Sequence, residues 1–154
     1  MANHIRQQIR ERVGTTLNSL STTGSNVFQS RVFNLEESKL PAIIIYTKSE
    51  ASELLEMGST RTLQRTLSLA VEAYVKATTN FDDTIDTIAK EVEAAMAADV
   101  THNNLARDSF LESTEINYNG EGDQPLAVME MTFNILYLTT EAAPDSALWG
   151  KQYG

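Results

Sequence analysis

Apolar residues recur at every second position across residues 60–76: Leu63, Leu67, Leu69, Val71, Ala73 and Val75. Between them lie Gln64, Thr66, Ser68, Glu72 and Lys76. A period of two puts the first set on one face of a pleated strand and the second on the other. A helix cannot reconcile the pattern, because residues two apart lie on nearly opposite sides of it. The run outlasts a typical strand of about five or six residues. It therefore predicts a strand that sits mid-sheet at one end and projects beyond its neighbours at the other. The projecting end is residues 60–65, where Arg61 and Arg65 interrupt the apolar face. Such an overhang meets another part of the chain or another subunit.

The remaining periodicities place the other elements. Ile5, Ile9, Val13, Leu17 and Leu20 form the stripe of an amphipathic helix, with Arg6, Gln7, Arg10 and Glu11 on its wet side. Gly14 weakens this helix by about 1 kcal/mol relative to alanine. Residues 27–33 alternate as a strand, and residues 34–39 connect it onward. Pro41 lacks an N–H and opens the next strand, a β-branched run over residues 42–47 whose two apolar faces both call for cover. Residues 48–59 mix Glu50, Glu53 and Glu56 with Leu54, Leu55 and Met57. They suit either a short helical turn packed on its own domain or a loop that buries its apolar groups against a neighbour. Asp82 and Asp83 start a second helix whose stripe is Ile85, Ile88, Ala89, Val92, Ala95 and Met96. Strands follow over residues 110–118 and 126–138, joined by a turn with Gly120 and Gly122, which predicts a hairpin.

The order is helix, strand, strand, long strand, helix, strand, long strand. It predicts an α+β two-layer sandwich: a mixed, mostly antiparallel sheet of four or five strands with two helices on one face. Residues 1–140 make a single domain, and residues 141–154 are a C-terminal extension. Leu148, Trp149 and Tyr153 make that extension unusually apolar for a free tail and mark it as a candidate docking segment for a partner.

A chain of 154 residues suits one domain, and 42% hydrophobic content supports a real core. The formal net charge of -9 repels phosphate, which argues against coating nucleic acid or adhering to an anionic membrane. With no cysteine, disulfides, zinc fingers, iron–sulfur clusters and cysteine nucleophiles drop out together, as in a reducing cytosol. No apolar run reaches the roughly 18 residues of a membrane span, and the N-terminus has no secretory h-region. His4 and His102 read as surface histidines without ligand partners. Asp82, Asp83 and Asp86 are explained by the helix start, and Glu91 and Glu93 read as solvated. No nucleophile elbow or phosphate loop surrounds the serines, threonines and glycines. No catalytic, cofactor-binding or metal site is predicted, and an interaction role is the better class of explanation.

Several local strings in this order resemble the tail terminator proteins of long-tailed bacteriophages, the minor-tail-protein-U type. They are residues 5–13, Val27-Phe28-Gln29-Ser30-Arg31, Leu40-Pro41-Ala42-Ile43 with the strand to Tyr46-Thr47, the strand at 61–75, the helix at 85–96, and residues 133–139. The likeness spans about residues 5–139. It implies an architectural protein of the virion, assembled in the host cytoplasm. Such a protein forms a homo-hexameric ring on the head-proximal end of the tail tube, stops tube polymerisation and presents the surface for head joining. Its implied partners are itself, the tail tube protein and a neck or head-completion protein. DNA crosses the lumen without specific binding, and an acidic chain suits that passage. A closed ring needs a head-to-tail interface, for which Leu54, Leu55, Met57, Arg61 and Arg65 are the candidates. The alternative reading is another neck or tail-completion protein, a head–tail adaptor. A small α+β enzyme is the third, and it would need convergent polar groups in a pocket.

Overall fold

A computed structural model gives the fold for residues 2–29, 39–56, 58, 61–77, 80–119 and 126–148. Two helices, α1 (Ile5–Leu17) and α2 (Phe81–Ala97), pack on one open sheet. Its strands are β1 (Val27–Phe28), β2 (Ala42–Glu56), β3 (Thr62–Lys76), β4 (Asp108–Asn119) and β5 (Leu126–Thr140), in spatial order β1-β2-β3-β5-β4. Only the β1–β2 pair is parallel. The expected mixed sheet with two helices on one face is what forms.

The core lies between helices and sheet. Ile5, Ile9, Val13 and Leu17 of α1 and Ile85, Ile88, Val92 and Met96 of α2 are buried. They meet the odd-numbered face of β3 and β5, from Leu67 to Val75 and from Ala127 to Tyr137. Each such aliphatic side chain contributes about 1.5–3 kcal/mol by leaving water. Gly14 is buried on α1, where a Cβ would come within 2.5 Å of Gln29 Nε2, so the glycine lets the segment leading from β1 lie close. On the opposite face a second cluster, Ile44, Tyr46 and Ala70, is covered by Phe28 and Tyr74 rather than by another layer.

Three expectations change. Residues 48–56 are neither helical turn nor loop but the distal half of β2, paired with β3 as far as Glu56↔Thr62. The glutamates disguised a strand whose leucines and carboxylates share an exposed hairpin. Consequently β3 has no overhang: β2 and β5 flank it along its length. Of the strand expected at residues 27–33, only Val27–Phe28 is strand, and residues 30–38 lie outside the described residues. The hairpin between β4 and β5 is as expected, though its turn at 120–125 is outside the described residues.

The register holds one further feature. Between Thr47↔Leu69 and Ser49↔Ser68 the β2–β3 ladder slips by one residue, a bulge at Lys48. Before it, odd-numbered β2 residues oppose the odd face of β3. After it, Glu50 opposes Leu67 and Leu54 opposes Leu63, so even-numbered residues point to the helix side.

Candidate functional site

The bulge aims Glu50 at the helix-side face of the sheet, beside Arg65 and Tyr137, which are register partners. Glu50 accepts hydrogen bonds from the Tyr137 hydroxyl, from Arg65 Nη1 at 3.2 Å and from Arg6 Nη1 at 2.7 Å. Arg65 Nε also donates to Thr139 Oγ1 at 3.0 Å, and its guanidinium lies 5.9 Å from the centre of the Tyr137 ring. The Glu50 and Arg65 side chains are only 9% and 11% exposed, so this is an interior ion pair. Burial, reinforced by the Glu50 carboxylate, pushes the Tyr137 phenol up, keeping it a proton donor. Of the interface candidates Arg61 and Arg65, Arg65 finds its carboxylate within the chain, on Glu50. His4 closes the end of α1 as its cap, accepting from the Arg6 N–H at 3.0 Å.

The uncovered sheet face carries a row of register neighbours, Ile44, Glu72, Glu130 and Glu115, across β2, β3, β5 and β4. Tyr46 and Tyr74 hydroxyls donate to Glu72 at 2.8 and 2.9 Å, and Lys48 Nζ reaches Glu130 at 2.7 Å. The Lys48 hydrogen bond holds the Glu130 carboxyl below the usual glutamate range and raises the lysine in return. Like charges on adjacent strands repel, so the two tyrosines and the lysine are what make Glu72 and Glu130 compatible.

His102 is fully buried, contrary to the surface expectation. It opens a run of three positive-φ residues, His102, Asn103 and Asn104, at 49°, 61° and 66°. Ser109 Oγ donates to the Val100 carbonyl at 3.0 Å. The 3.1 Å contact between His102 Nε2 and Ser109 Oγ is therefore made by the imidazole N–H. The histidine donates a hydrogen bond to the serine instead of accepting one from it, which is the reverse of nucleophile activation. Burial lowers the His102 pKa. Glu91, read as solvated, accepts from the Thr22 N–H and hydroxyl at 3.0 and 2.7 Å and ties the end of the α1 loop to α2. Beside the His102 turn an open cavity of about 280 Å3 is lined by Met96, Val100, Leu111 and Phe133, with Glu93 and Ser109. Among the described residues, no group of three or more acidic or histidine side chains could hold a metal ion, and no helix is long and apolar enough to cross a membrane.

The candidate contact residues separate. Leu54 and Leu55 are exposed at the hairpin end, Arg61 is exposed there beside Glu141 at 3.8 Å, and Arg65 is interior. Met57 lies outside the described residues, as do Trp149 and Tyr153. Leu148 is half-buried and its N–H donates to the Leu138 carbonyl at 2.8 Å. The segment before it returns to the domain: the Ile5 N–H donates to the Pro144 carbonyl at 2.9 Å, and Ala147 packs on the core. The residues sequence reasoning missed are Glu50 and Tyr137 as a buried network, and Phe110, Ile116 and Tyr118 as exposed apolar groups on β4. Alternation in β4 offered the latter as a signal, since an outermost strand leaves one side of each residue uncovered.

The fold is an open α+β sandwich in which the Glu50 and Glu72/Glu130 clusters are tied up in internal bonds and five of the six exposed large hydrophobics among the described residues sit on strands. Residues 4–137 match the phage minor tail protein U family. The chain belongs to that family, and it is a structural protein of the phage tail. No curated protein matches the chain. Among solved structures, a chain of the virion of a native gene transfer agent particle resembles it with a TM-score of 0.39 and 10% identity, covering 86% of this chain and 90% of that one.

Proposed function

We propose that this chain is the tail terminator: a homo-hexameric ring on the head-proximal end of the tail tube. The ring stops tube polymerisation and presents the surface to which the filled head joins. Membership of the minor tail protein U family over residues 4–137 is the observation that carries this reading. The fold supports it, because a sheet with an outermost strand on each side offers two different edges, as a head-to-tail ring requires. The net charge of -9 supports a lumen through which DNA slides without binding. The ring's partners are the tube protein on one side and a neck or head-completion protein on the other, and assembly takes place in the host cytoplasm. Electron microscopy of tail tubes polymerised with and without the protein tests the reading. Tubes of uniform length, each with a ring at one end, are expected. Unchanged length and bare ends overturn it, and binding to the head side alone assigns the chain to a neck adaptor instead.

A further inference from the structure

Six large hydrophobic side chains are exposed among the described residues, and five of them sit on two strands: Leu54 and Leu55 on β2, and Phe110, Ile116 and Tyr118 on β4. These strands also carry open edges. β4 is paired on one side only, and beyond Ile44 β2 has no strand on its β1 side among the described residues. Edge strands with exposed apolar groups are pairing sites unless charge or cover blocks them. Leu54 and Leu55 lie at one corner of the sheet and Ile116 and Tyr118 at the opposite one, while Phe110, in register with Asn134, sits between them on the other face. Leu54 is in register with Leu63 of β3, whereas Ile116 is in register with Met129 and through it with Ala73. Leu63 and Ala73 are ten residues apart on β3, about 33 Å at the rise of a strand. A single subunit cannot bring its two patches together, but two subunits can, by a contact that uses a different corner of each.

The patches also differ in charge. At the hairpin corner, Arg61 is 56% exposed and stands 3.8 Å from the equally exposed Glu141. On β4 Glu112 and Glu115 are exposed and lie close enough to Lys48 to add to the rise in its pKa caused by Glu130; Glu115, opposite Glu130, faces the uncovered side, while Ile116 and Tyr118 face the helix side. We propose that the β2–β3 hairpin end of one copy docks on the β4 edge of a second copy, with Leu54 and Leu55 against Ile116 and Tyr118, and Arg61 reaching round that edge to Glu112 and Glu115. This inference rests on the ring reading and names the interface that closes it. Repeated around an axis, the contact leaves no corner unpaired.

The chain has no cysteine, so Leu54→Cys/Ile116→Cys introduces the only thiols, too far apart for a short bis-maleimide linker to join within one subunit. Treated with that linker, the double variant should give a ladder of covalent multimers up to the assembled particle. Each single variant should stay at the monomer band, and an equimolar mixture of the two should stop at dimers. Arg61→Glu should raise the concentration for half-assembly by about tenfold or more, since it sets like charges against each other. Particles of assembled size that give no ladder overturn this interface and leave the terminator reading intact. Abundant dimers from Ile116→Cys alone overturn it in favour of β4 pairing with β4. Monomers at every concentration, free and with tail tubes, overturn interface and ring together.

Discussion

Glu50→Ala is the sharpest test of what holds the hairpin end of the sheet to α1. The substitution removes the acceptor for Arg65, Arg6 and the Tyr137 hydroxyl at once. Arg6 is 37% exposed on its side chain and returns to water at little cost. Arg65, at 11%, cannot, and Tyr137 is fully buried. Removing one partner of a buried ion pair costs about 3–5 kcal/mol, because the other charge is left unpaired. That is a large part of the roughly 5–15 kcal/mol that holds a domain folded. For a chain of this size about 2–4 °C of Tm accompanies each kcal/mol, so a fall of about 6–20 °C is expected by calorimetry. Arg6→Ala should lose no more than about 1 kcal/mol, as surface pairs do. Glu50→Leu/Arg65→Met should recover most of the loss, since a buried pair replaced by apolar groups of similar volume is often neutral. A Glu50→Ala protein within about 1 kcal/mol of the parent would show that water reaches Arg65 and refute the argument.

Leu69 is fully buried at the centre of the helix-side face, so Leu69→Asp should abolish soluble expression through an unpaired buried charge worth several kcal/mol; a soluble variant with unchanged Tm would mean the faces are reversed. The lowered pKa of His102 means the unfolded chain binds its proton first, so its contribution to stability falls as pH drops below about 6.5. Urea midpoints should therefore decline from pH 7 to 5.5, and His102→Asn should flatten that slope; an unchanged slope would place the titrating group elsewhere. Gly14→Ala should gain up to about 1 kcal/mol of helix propensity, because Gln29 is exposed and its amide can swing off the new methyl; a loss larger than 1 kcal/mol in urea titrations would show that Gln29 is locked in place.

The helices, β3 and β5 were legible because burial on one face imposes a period that no other structure satisfies. Ile5 to Leu17, Ile85 to Met96 and the odd positions of β3 and β5 are core where the pattern placed them. The distal half of β2 was not legible, because its residues alternate nothing: Ser49, Ala51 and Glu53 share one face and Glu50, Ser52 and Leu54 the other, with Leu55 at a second irregularity of the ladder. A strand at the free end of a hairpin has no core to write itself into the sequence, and only its pairing partner defines it. His102 was missed for a related reason. Its burial follows from the left-handed backbone of the α2–β4 turn, not from any spacing of neighbours. Both arginines of the supposed overhang looked alike in sequence, yet Arg65 is interior on β3 and Arg61, one residue before that strand begins, is exposed.

The bulge at Lys48 explains that divergence and joins the fold to its proposed use. Had the ladder run on from Thr47↔Leu69 without the slip, Glu50 would oppose Thr66 on the uncovered face and add a further carboxylate to the side that already carries Glu72, Glu130 and Glu115. Arg65 would then face the helix side without that acid. The slip at Lys48 is what gives Arg65 its partner. The same slip carries Leu54 to the helix side, and Leu55 falls at a second irregularity of the ladder; both are exposed. The hairpin end is thus rigid at its root, where Glu50, Arg65 and Tyr137 clamp three strands together, and apolar at its tip. Leu54 and Leu55 stand four and five residues beyond that clamp, and a contact made from a preorganised strand loses less freedom on binding, which favours the proposed docking of this hairpin on a second copy.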